Sequence, residues 1–342
     1  MNSLAALQQL VPELNELLER RYSLLRVIRN QGPIGRRFIA TQVGSSERVT
    51  RGELDILRDQ GLIQSSSLGV QLTPEGEKTF SMLQSVVREF YNLEYLEQKL
   101  AAVLGVKKMI IVPGDADSDP SGKRDLARAA VHYLRDVLKD GDVLAVSGGT
   151  TMAKVAESFK PHDGPKDVTV VPVRGGLGED IKIQANSVAV SLAESLGGTY
   201  RLLHAPEDVL PCNVEQILSE PRIRSVIALG RRANVLLHGI GTAEEMARRR
   251  GFDDESIMKL IATGAVGEAF GCYFDAQGNI VHNTTSVGLR LEDLEKIPLV
   301  VTIGGGRSKA WAVMSVLSRG YCDVCITDEG VARRLMTLKE IE

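Results

Sequence analysis

The sequence predicts an α/β protein built on a mostly parallel sheet, preceded by a separate helical N-terminal part, and three observations carry that expectation. From Met109 onward short apolar runs alternate with helix-forming stretches, each run ending in glycine, proline or a helix signal. One of these runs, Val143-Leu-Ala-Val-Ser-Gly-Gly-Thr-Thr-Met-Ala-Lys-Val-Ala156, passes from strand into helix through two glycines. Before Met109 the apolar spacing is helical almost throughout, and the charge has the opposite sign.

Composition sets the bounds. At 342 residues the chain is long enough for two domains, and 43% apolar with 25% charged residues is ordinary for a globular protein. No stretch approaches the ~20 apolar residues that cross a bilayer, and the N-terminus lacks a secretory pattern, so a cytoplasmic protein without a membrane partner is expected. Of the four cysteines, Cys212, Cys272, Cys322 and Cys325, the last two form a CxxC with no second pair and no nearby histidine, which points to buried thiols and no metal. The net charge of −3 hides an asymmetry: Arg20 to Arg58 holds nine arginines against Glu47, Glu53 and Asp55, a balance of +6. A basic block on an acidic body suggests a polyanionic partner for the block alone.

Leu4, Leu7, Val11, Leu14, Leu18, Leu25 and Ile28 form the stripe of an amphipathic helix closed by Gly32-Pro33. A short helix with Phe38, Ile39 and Val43 then meets Gly44 in a tight turn, Ser45 or Ser46 can cap the next helix, and Val49, Leu54 and Leu57 supply its buried face. This is a helix-turn-helix pattern, whose outward side carries Glu47, Arg48, Arg51, Gly52 and Asp55, with Thr50 at the margin. Arginine there can pair bidentately with guanine in a major groove. DNA contacts are therefore expected from Arg36, Arg37, Ser46, Glu47, Arg48, Thr50 and Arg51. Leu62 to Thr73 reads as two short strands around a polar loop, the wing of a winged helix, and gives a DNA-binding domain over 1–73. From Phe80 to Val103 apolar residues step by three or four for some six turns, the pattern of a linker helix over 74–105 that either pairs subunits or packs on its own chain.

In the remainder, 106–342, strands are expected at Met109–Val112, Val143–Val146, Val168–Val173, Leu202–Leu203, Val235–His238, Leu299–Ile303 and Val324–Thr327, with a hairpin from Phe270 to His282 about Gln277-Gly278-Asn279. Where Val146 gives way to Gly148, Gly149, Thr150 and Thr151, a helix start presents unpaired amides, its positive dipole end and two hydroxyls, a cradle for phosphate. Arg174 follows another strand, and Gly304, Gly305, Gly306, Ser308 and Lys309 repeat the theme at a second helix start. Singly each is also an ordinary tight turn; together on one sheet edge they suit a ligand with two phosphates.

The motifs Pro33-Ile-Gly-Arg-Arg37, Ser46-Glu-Arg-Val49, Gly148-Gly-Thr-Thr151, Arg174-Gly-Gly-Leu-Gly-Glu-Asp180, Gln184-Ala-Asn186, His238-Gly-Ile-Gly241, Glu268-Ala-Phe-Gly271 and Thr327-Asp-Glu-Gly330 span nearly the whole chain, and on them it resembles the SorC family of transcriptional regulators. The resemblance implies a winged helix-turn-helix joined to a Rossmann-like effector domain similar to sugar-phosphate isomerases and deaminases, which also mediates oligomerisation. It implies a repressor of a glycolytic operon, a dimer or tetramer on operator DNA, released by a phosphorylated sugar, fructose 1,6-bisphosphate above all, with no catalytic cofactor. The ligand contacts it implies are Gly148, Gly149, Thr150, Thr151, Arg174, Gln184, Glu268 and Lys309, with Arg249 or Arg250; Arg307 stands where relatives often have serine.

A sugar-phosphate isomerase or deaminase-like enzyme would use the same phosphate loop, so chemistry must separate the readings. Such enzymes place a general acid and base at the sugar carbons. Histidines 132, 162, 204, 238 and 282 are scattered, and only His238 falls at a strand end near the rim. Asp180 and Glu268 could serve as acids, yet hydroxyl binding is enough to explain Glu268. A scaffold without ligand conflicts with two intact glycine-rich turns. A regulator, not an enzyme, is the expectation.

Overall fold

The computed structural model describes all residues except 1–9, 120, 161–164, 166, 177–179, 207–208, 210 and 341–342. Two units emerge: residues 1–95 with 116–122, and residues 96–115 with 123–342.

The first unit begins with α1 (Glu13–Gln31), α2 (Arg36–Gln42) and α3 (Glu47–Asp59), followed by the strands β1 (Ile63–Ser66) and β2 (Gly69–Leu72) and by α4 (Pro74–Phe90). Gly44, at φ 62, makes the turn between α2 and α3, and Ser46 caps α3 by accepting from the Val49 N–H. The two strands pair antiparallel from Ile63 opposite Leu72 to Ser66 opposite Gly69, the expected wing. Leu24, Leu25, Ile28, Ile39, Leu54, Leu57, Ile63, Val70, Phe80 and Val87 share one core, in which Tyr22 stacks on Phe80 at 4.9 Å. Buried Glu53 locks α3 onto α1, accepting from Arg21 at 2.8 Å and from Arg20 at 3.3 Å. Within 116–122, Asp119 takes the buried guanidinium of Arg26 and the Ser121 amide and hydroxyl.

Three expectations in this unit are corrected. Leu4 and Leu7 lie outside the described residues, Val11 is exposed, and the buried run of α1 is Tyr22 to Ile28, the stretch that shares a core with Ile39, Leu54, Leu57, Ile63, Val70, Phe80 and Val87. On α3 the inward residues are Thr50, Glu53, Leu54 and Leu57; Thr50 is 2% exposed and Val49, expected inside, is 43% exposed. The six-turn helix from Phe80 is interrupted: α4 stops at Phe90, Asn92 takes φ 55, and α5 (Leu93–Leu104) starts afresh. Phe80 and Val87 are consumed by the first core, whereas Leu96, Leu100 and Leu104 are buried beyond the break.

The second unit adds β3 (Lys108–Val112), α6 (Gly122–Val137), β4 (Val143–Val146), α7 (Thr150–Ser158), β5 (Thr169–Pro172), α8 (Ala185–Leu196), β6 (Thr199–Tyr200), α9 (Val214–Ser219) and α10 (Pro221–Gly230). It continues with β7 (Val235–Gly239), β8 (Gly241–Thr242), α11 (Ala243–Arg249), α12 (Asp254–Ala262), β9 (Ala265–Ala269), β10 (Cys272–Asp275), β11 (Ile280–Asn283), β12 (Leu299–Ile303), α13 (Ala310–Leu317), β13 (Val324–Asp328) and α14 (Glu329–Leu338). Seven strands form a parallel sheet in the order β3-β13-β12-β7-β4-β5-β6, and β11-β10-β9-β8 form a second, antiparallel sheet. The central strands are buried on both faces: every residue of β13 is buried, as are Leu144 to Val146. From β4 the chain winds to β5 and β6, and from β7 it winds the other way, so β4 and β7 flank the point where connections diverge and a crevice opens at their carboxyl ends.

Here too the strand pattern is amended. Leu202 and Leu203 lie past the edge strand, which is Thr199–Tyr200; Leu203 is instead buried against Ile227 and Val287. The turn at Gln277 to Asn279 holds, with Gly278 at φ 85, but β9 precedes the hairpin and joins it through Phe270 and Gly271, both at positive φ. Cys322 and Cys325 are buried free thiols, and burial raises both, Cys322 to about 12. Among the described residues no helix is long and apolar enough to cross a membrane.

Leu57, 1% exposed in the core of the first unit, sets a prediction: Leu57→Ala should destabilise that unit by about 2–5 kcal/mol, read as a fall in its urea midpoint with the second unit's transition unmoved.

Candidate functional site

The crevice between β4 and β7 is a cavity open to solvent. Ser147 to Met152 form one wall, Val173 and Arg174 another, His238 to Gly241 a third, and Glu245, Arg249, Glu268, Phe270 and Lys309 close it.

Two glycines shape the first wall. Gly148 packs so closely on the next loop that a Cβ would stand 2.5 Å from the Ile183 carbonyl oxygen, and Gly149 sits at φ 120, ψ 163, a conformation closed to L side chains. Gly149 is the N-cap of α7 and brings no side-chain acceptor, so the first-turn amides of that helix open on the cavity beside Thr150 and Thr151. An anion is the natural partner of such a helix end. Ser147 holds the neighbouring strand end in place, its hydroxyl accepting from the Gly239 amide at 3.1 Å.

The charged residues sort into two groups. Arg250 is turned away from the cavity: its side chain is fully buried, donating to Glu268 at 2.9 Å and to the Tyr273 hydroxyl at 3.1 Å. Glu268 also accepts the Gly271 amide at 2.7 Å. Burial alone would raise the Glu268 carboxyl, but Arg250, Arg174 and that amide outweigh it and hold the group below its usual value. Arg249, by contrast, lines the cavity and reaches Glu245 at 3.2 Å, while the Lys309 ammonium lies 3.5 Å from both Glu245 and the Ile240 carbonyl. Glu245 thus bridges the two rim cations, in the place where an anionic ligand group would compete for them.

His238 is engaged at both ring nitrogens, Nε2 with the Thr302 hydroxyl at 2.7 Å and Nδ1 with the Gly239 carbonyl at 3.1 Å. Nδ1 therefore carries the proton and Nε2 accepts. Burial drives its pKa down to about 4, against the opposing pull of that carbonyl and of Glu268, so the ring is neutral at physiological pH.

Of the expected ligand residues, the structure brings Gly148, Gly149, Thr150, Thr151, Arg174, Arg249, Glu268 and Lys309 to the cavity, and leaves out Gln184 and Arg250. Gln184 starts α8, its amide oxygen turned toward Gly176; Leu177 to Glu179 of that motif, like His162, lie outside the described residues. The second glycine-rich turn is built differently from the expectation. Three of its amides are already taken: Gly304 by the Ile326 carbonyl, Gly306 by buried Asp328 at 2.7 Å and Arg307 by Asp115 at 3.1 Å. Only Lys309 of that turn reaches the cavity. Glu245, Ile240 and Phe270 were not expected as cavity walls, although Ile240 and Phe270 stand inside the motifs His238-Gly-Ile-Gly241 and Glu268-Ala-Phe-Gly271.

In the first unit, Arg36, Arg37, Ser46, Glu47, Arg48 and Arg51 are all exposed, and Thr50 is not. Arg37 lies 3.4 Å from Glu47 across the α2–α3 turn. Arg20, Arg21 and Arg29 are committed to Glu53 and Glu77 inside the unit, so the cationic surface is narrower than the count of arginines implies.

Comparison with known proteins follows the same division. The family described as "Putative sugar-binding domain" matches residues 88–337, and the "CggR N-terminal DNA binding domain" family matches residues 17–87. The chain is 40% identical over 337 residues to the Central glycolytic genes regulator of Bacillus subtilis, covering 98% of this chain and 99% of that protein. It is 29% identical over 258 residues to the Deoxyribonucleoside regulator of the same organism, covering 73% and 82%. Among solved structures, "the putative SorC family transcriptional regulator from Enterococcus faecalis" is similar at TM-score 0.65 and 35% identity, covering 71% of this chain and 99% of that one. The full-length sorbitol operon regulator of Klebsiella pneumoniae shares the fold at TM-score 0.66 and 18% identity, covering 89% and 94%.

His238 makes the cavity acid-sensitive. Its folded pKa of about 4 lies below the ordinary 6.5, so its neutral state costs nothing above pH 6.5 and opposes folding as pH falls from 6.5 to about 4. At about 1.4 kcal/mol per unit the loss is on the order of 3 kcal/mol. NMR titration should show this imidazole still neutral at pH 5, and His238→Gln should flatten the stability curve in that window.

Proposed function

The chain belongs to the SorC family of transcriptional regulators with a sugar-binding effector domain, and from that premise we propose that it represses a glycolytic operon and leaves its operator when fructose 1,6-bisphosphate, or a closely related sugar phosphate, fills the cavity. The observation that carries this reading is the uncapped start of α7 facing Arg174, Arg249 and Lys309 across one crevice. One phosphate sits on the α7 amides and the Thr150 and Thr151 hydroxyls, with Arg174 beside it. The other takes Arg249 and Lys309 from Glu245. This replaces a second glycine cradle by a pair of side-chain cations, since the Gly304, Gly306 and Arg307 amides of that turn are occupied.

The winged helix-turn-helix presents α3 to the major groove, with Arg48 and Arg51 toward base edges and Arg36, Arg37, Ser46 and Glu47 at the backbone side. Paired half-sites suit a dimer, or two dimers, on the operator. The similarity to the Central glycolytic genes regulator supports glycolysis as the regulated process. An isomerase or deaminase reading finds no support at His238, which is neutral with both nitrogens engaged, nor at Glu268, whose carboxylate is tied to Arg250. The ligand acts by favouring one arrangement of the protein over another, and the limit of its effect is the difference in its affinities for the two.

Calorimetry and DNA-shift titration on the full chain test these assignments. Thr151→Ala should weaken fructose 1,6-bisphosphate binding by about 1–3 kcal/mol, and Lys309→Ala should lose more affinity for the bisphosphate than for fructose 6-phosphate; both should bind operator DNA as wild type does. Equal loss of both sugars in Lys309→Ala would show that the two phosphates are not divided this way. Arg48→Ala and Arg51→Ala should each cost operator binding roughly 1–3 kcal/mol without altering sugar affinity.

A further inference from the structure

The face of α3 that carries Val49 and Gly52 has a composition that nothing inside the protein demands. Val49 is 43% exposed in the first turn of the helix, the part of a recognition helix that touches base edges. Gly52, one turn on along the same side, has nothing within 4 Å of the position a Cβ would take, and its backbone is ordinary helix. Neither packing nor a left-handed conformation calls for glycine there, and glycine weakens a helix interior. Val49 is likewise a weaker helix former than the residues usual on an exposed helix face, and it leaves apolar surface in water. A requirement outside the molecule accounts for both: bare helix backbone at Gly52 beside exposed apolar side chains, compact Val49 in the first turn and Ile56, 39% exposed, one turn further on.

We infer that this face reads a thymine: Val49 packs on the 5-methyl group and Gly52 admits the edge of the base pair close to the backbone of α3. Thymine is the base that offers an apolar methyl in the major groove. Arg48, also in the first turn, and Arg51, beside Gly52, are both exposed and supply charge for the phosphates and guanines around it. The inference rests on α3 being the recognition helix, and it adds a base identity to that reading.

The test uses the full chain and an operator selected by it from random duplexes. Each thymine of the selected site is replaced in turn by deoxyuridine, which removes only the methyl group. At one thymine per half-site the wild type should lose about three- to tenfold in affinity, and Val49→Ala should be indifferent to the same replacement. Gly52→Ala should raise the thermal midpoint of the first unit by about 3–8 °C and yet bind the selected operator at least about tenfold more weakly. A flat deoxyuridine scan, a scan unchanged in Val49→Ala, or a Gly52→Ala variant that binds the operator as wild type does would each overturn the inference. So would an effect of both substitutions on the association state of the free protein with none on base preference, which would assign the face to a second copy of the chain. Arg48→Ala and Arg51→Ala separate the two levels: if both retain wild-type affinity, α3 is not the recognition helix, whereas if they lose it while the scan is flat, only the thymine assignment fails.

Discussion

The start of α7 is a helix end with no side-chain acceptor of its own, and much of the effector unit can be understood as the means of keeping it so. Gly149 contributes no cap, and Gly148 lies so tightly on the Ile183 to Ala185 loop that no side chain can intrude. The strand order puts this helix end at the one crevice of the sheet where neighbouring connections diverge. Unpaired amides in such a place favour an anion. The charges around them follow the same logic, with Arg174, Arg249 and Lys309 on the walls and the buried carboxylate of Glu268 compensated by Arg250. Without that compensation an ionised carboxylate in the cavity wall would repel any anion drawn to the helix end.

The same groups bear on chemistry. A proton-transfer enzyme needs at least one titratable group near the substrate with a pKa close to the working pH and a free position for the proton. His238 has neither, since burial takes it down to about 4 and Thr302 and Gly239 occupy both nitrogens. Glu268 is shifted the other way from a general acid, downward, by its arginine neighbours. The cavity is organised to hold charge in fixed positions, which is what a ligand-controlled regulator requires of it.

In the first unit the corresponding constraint is the grip of Glu53 on Arg20 and Arg21, which fixes the rotation of α3 on α1. A helix turned by one residue would bury Val49 and expose Thr50, and a different set of side chains would face outward. Two of the arginines that make the segment basic are thereby used to orient the helix, whereas Arg36, Arg37, Arg48, Arg51 and Arg58 stay exposed.

Much was legible in the sequence by itself. The strand-to-helix turn at Gly148 and Gly149, the caps and turn of the helix-turn-helix, the wing and the run of parallel strands are all short-range features, set by propensity, capping and alternation within a few residues. Tertiary structure decided which members of each motif face outward and which are consumed. Arg250 differs from Arg249 only because Glu268, 18 residues away, captures it. The second glycine-rich turn resembles the first until Asp328 and Asp115, respectively 22 and 192 positions from their partners, occupy its amides. The apolar stripe from Phe80 to Val103 reads as one helix, yet its halves are buried in different units and Asn92 breaks it between them. In each case the sequence supplies the chemical group, but its partner is distant in the chain, and whether a donor or charge remains available to a ligand depends on that partner.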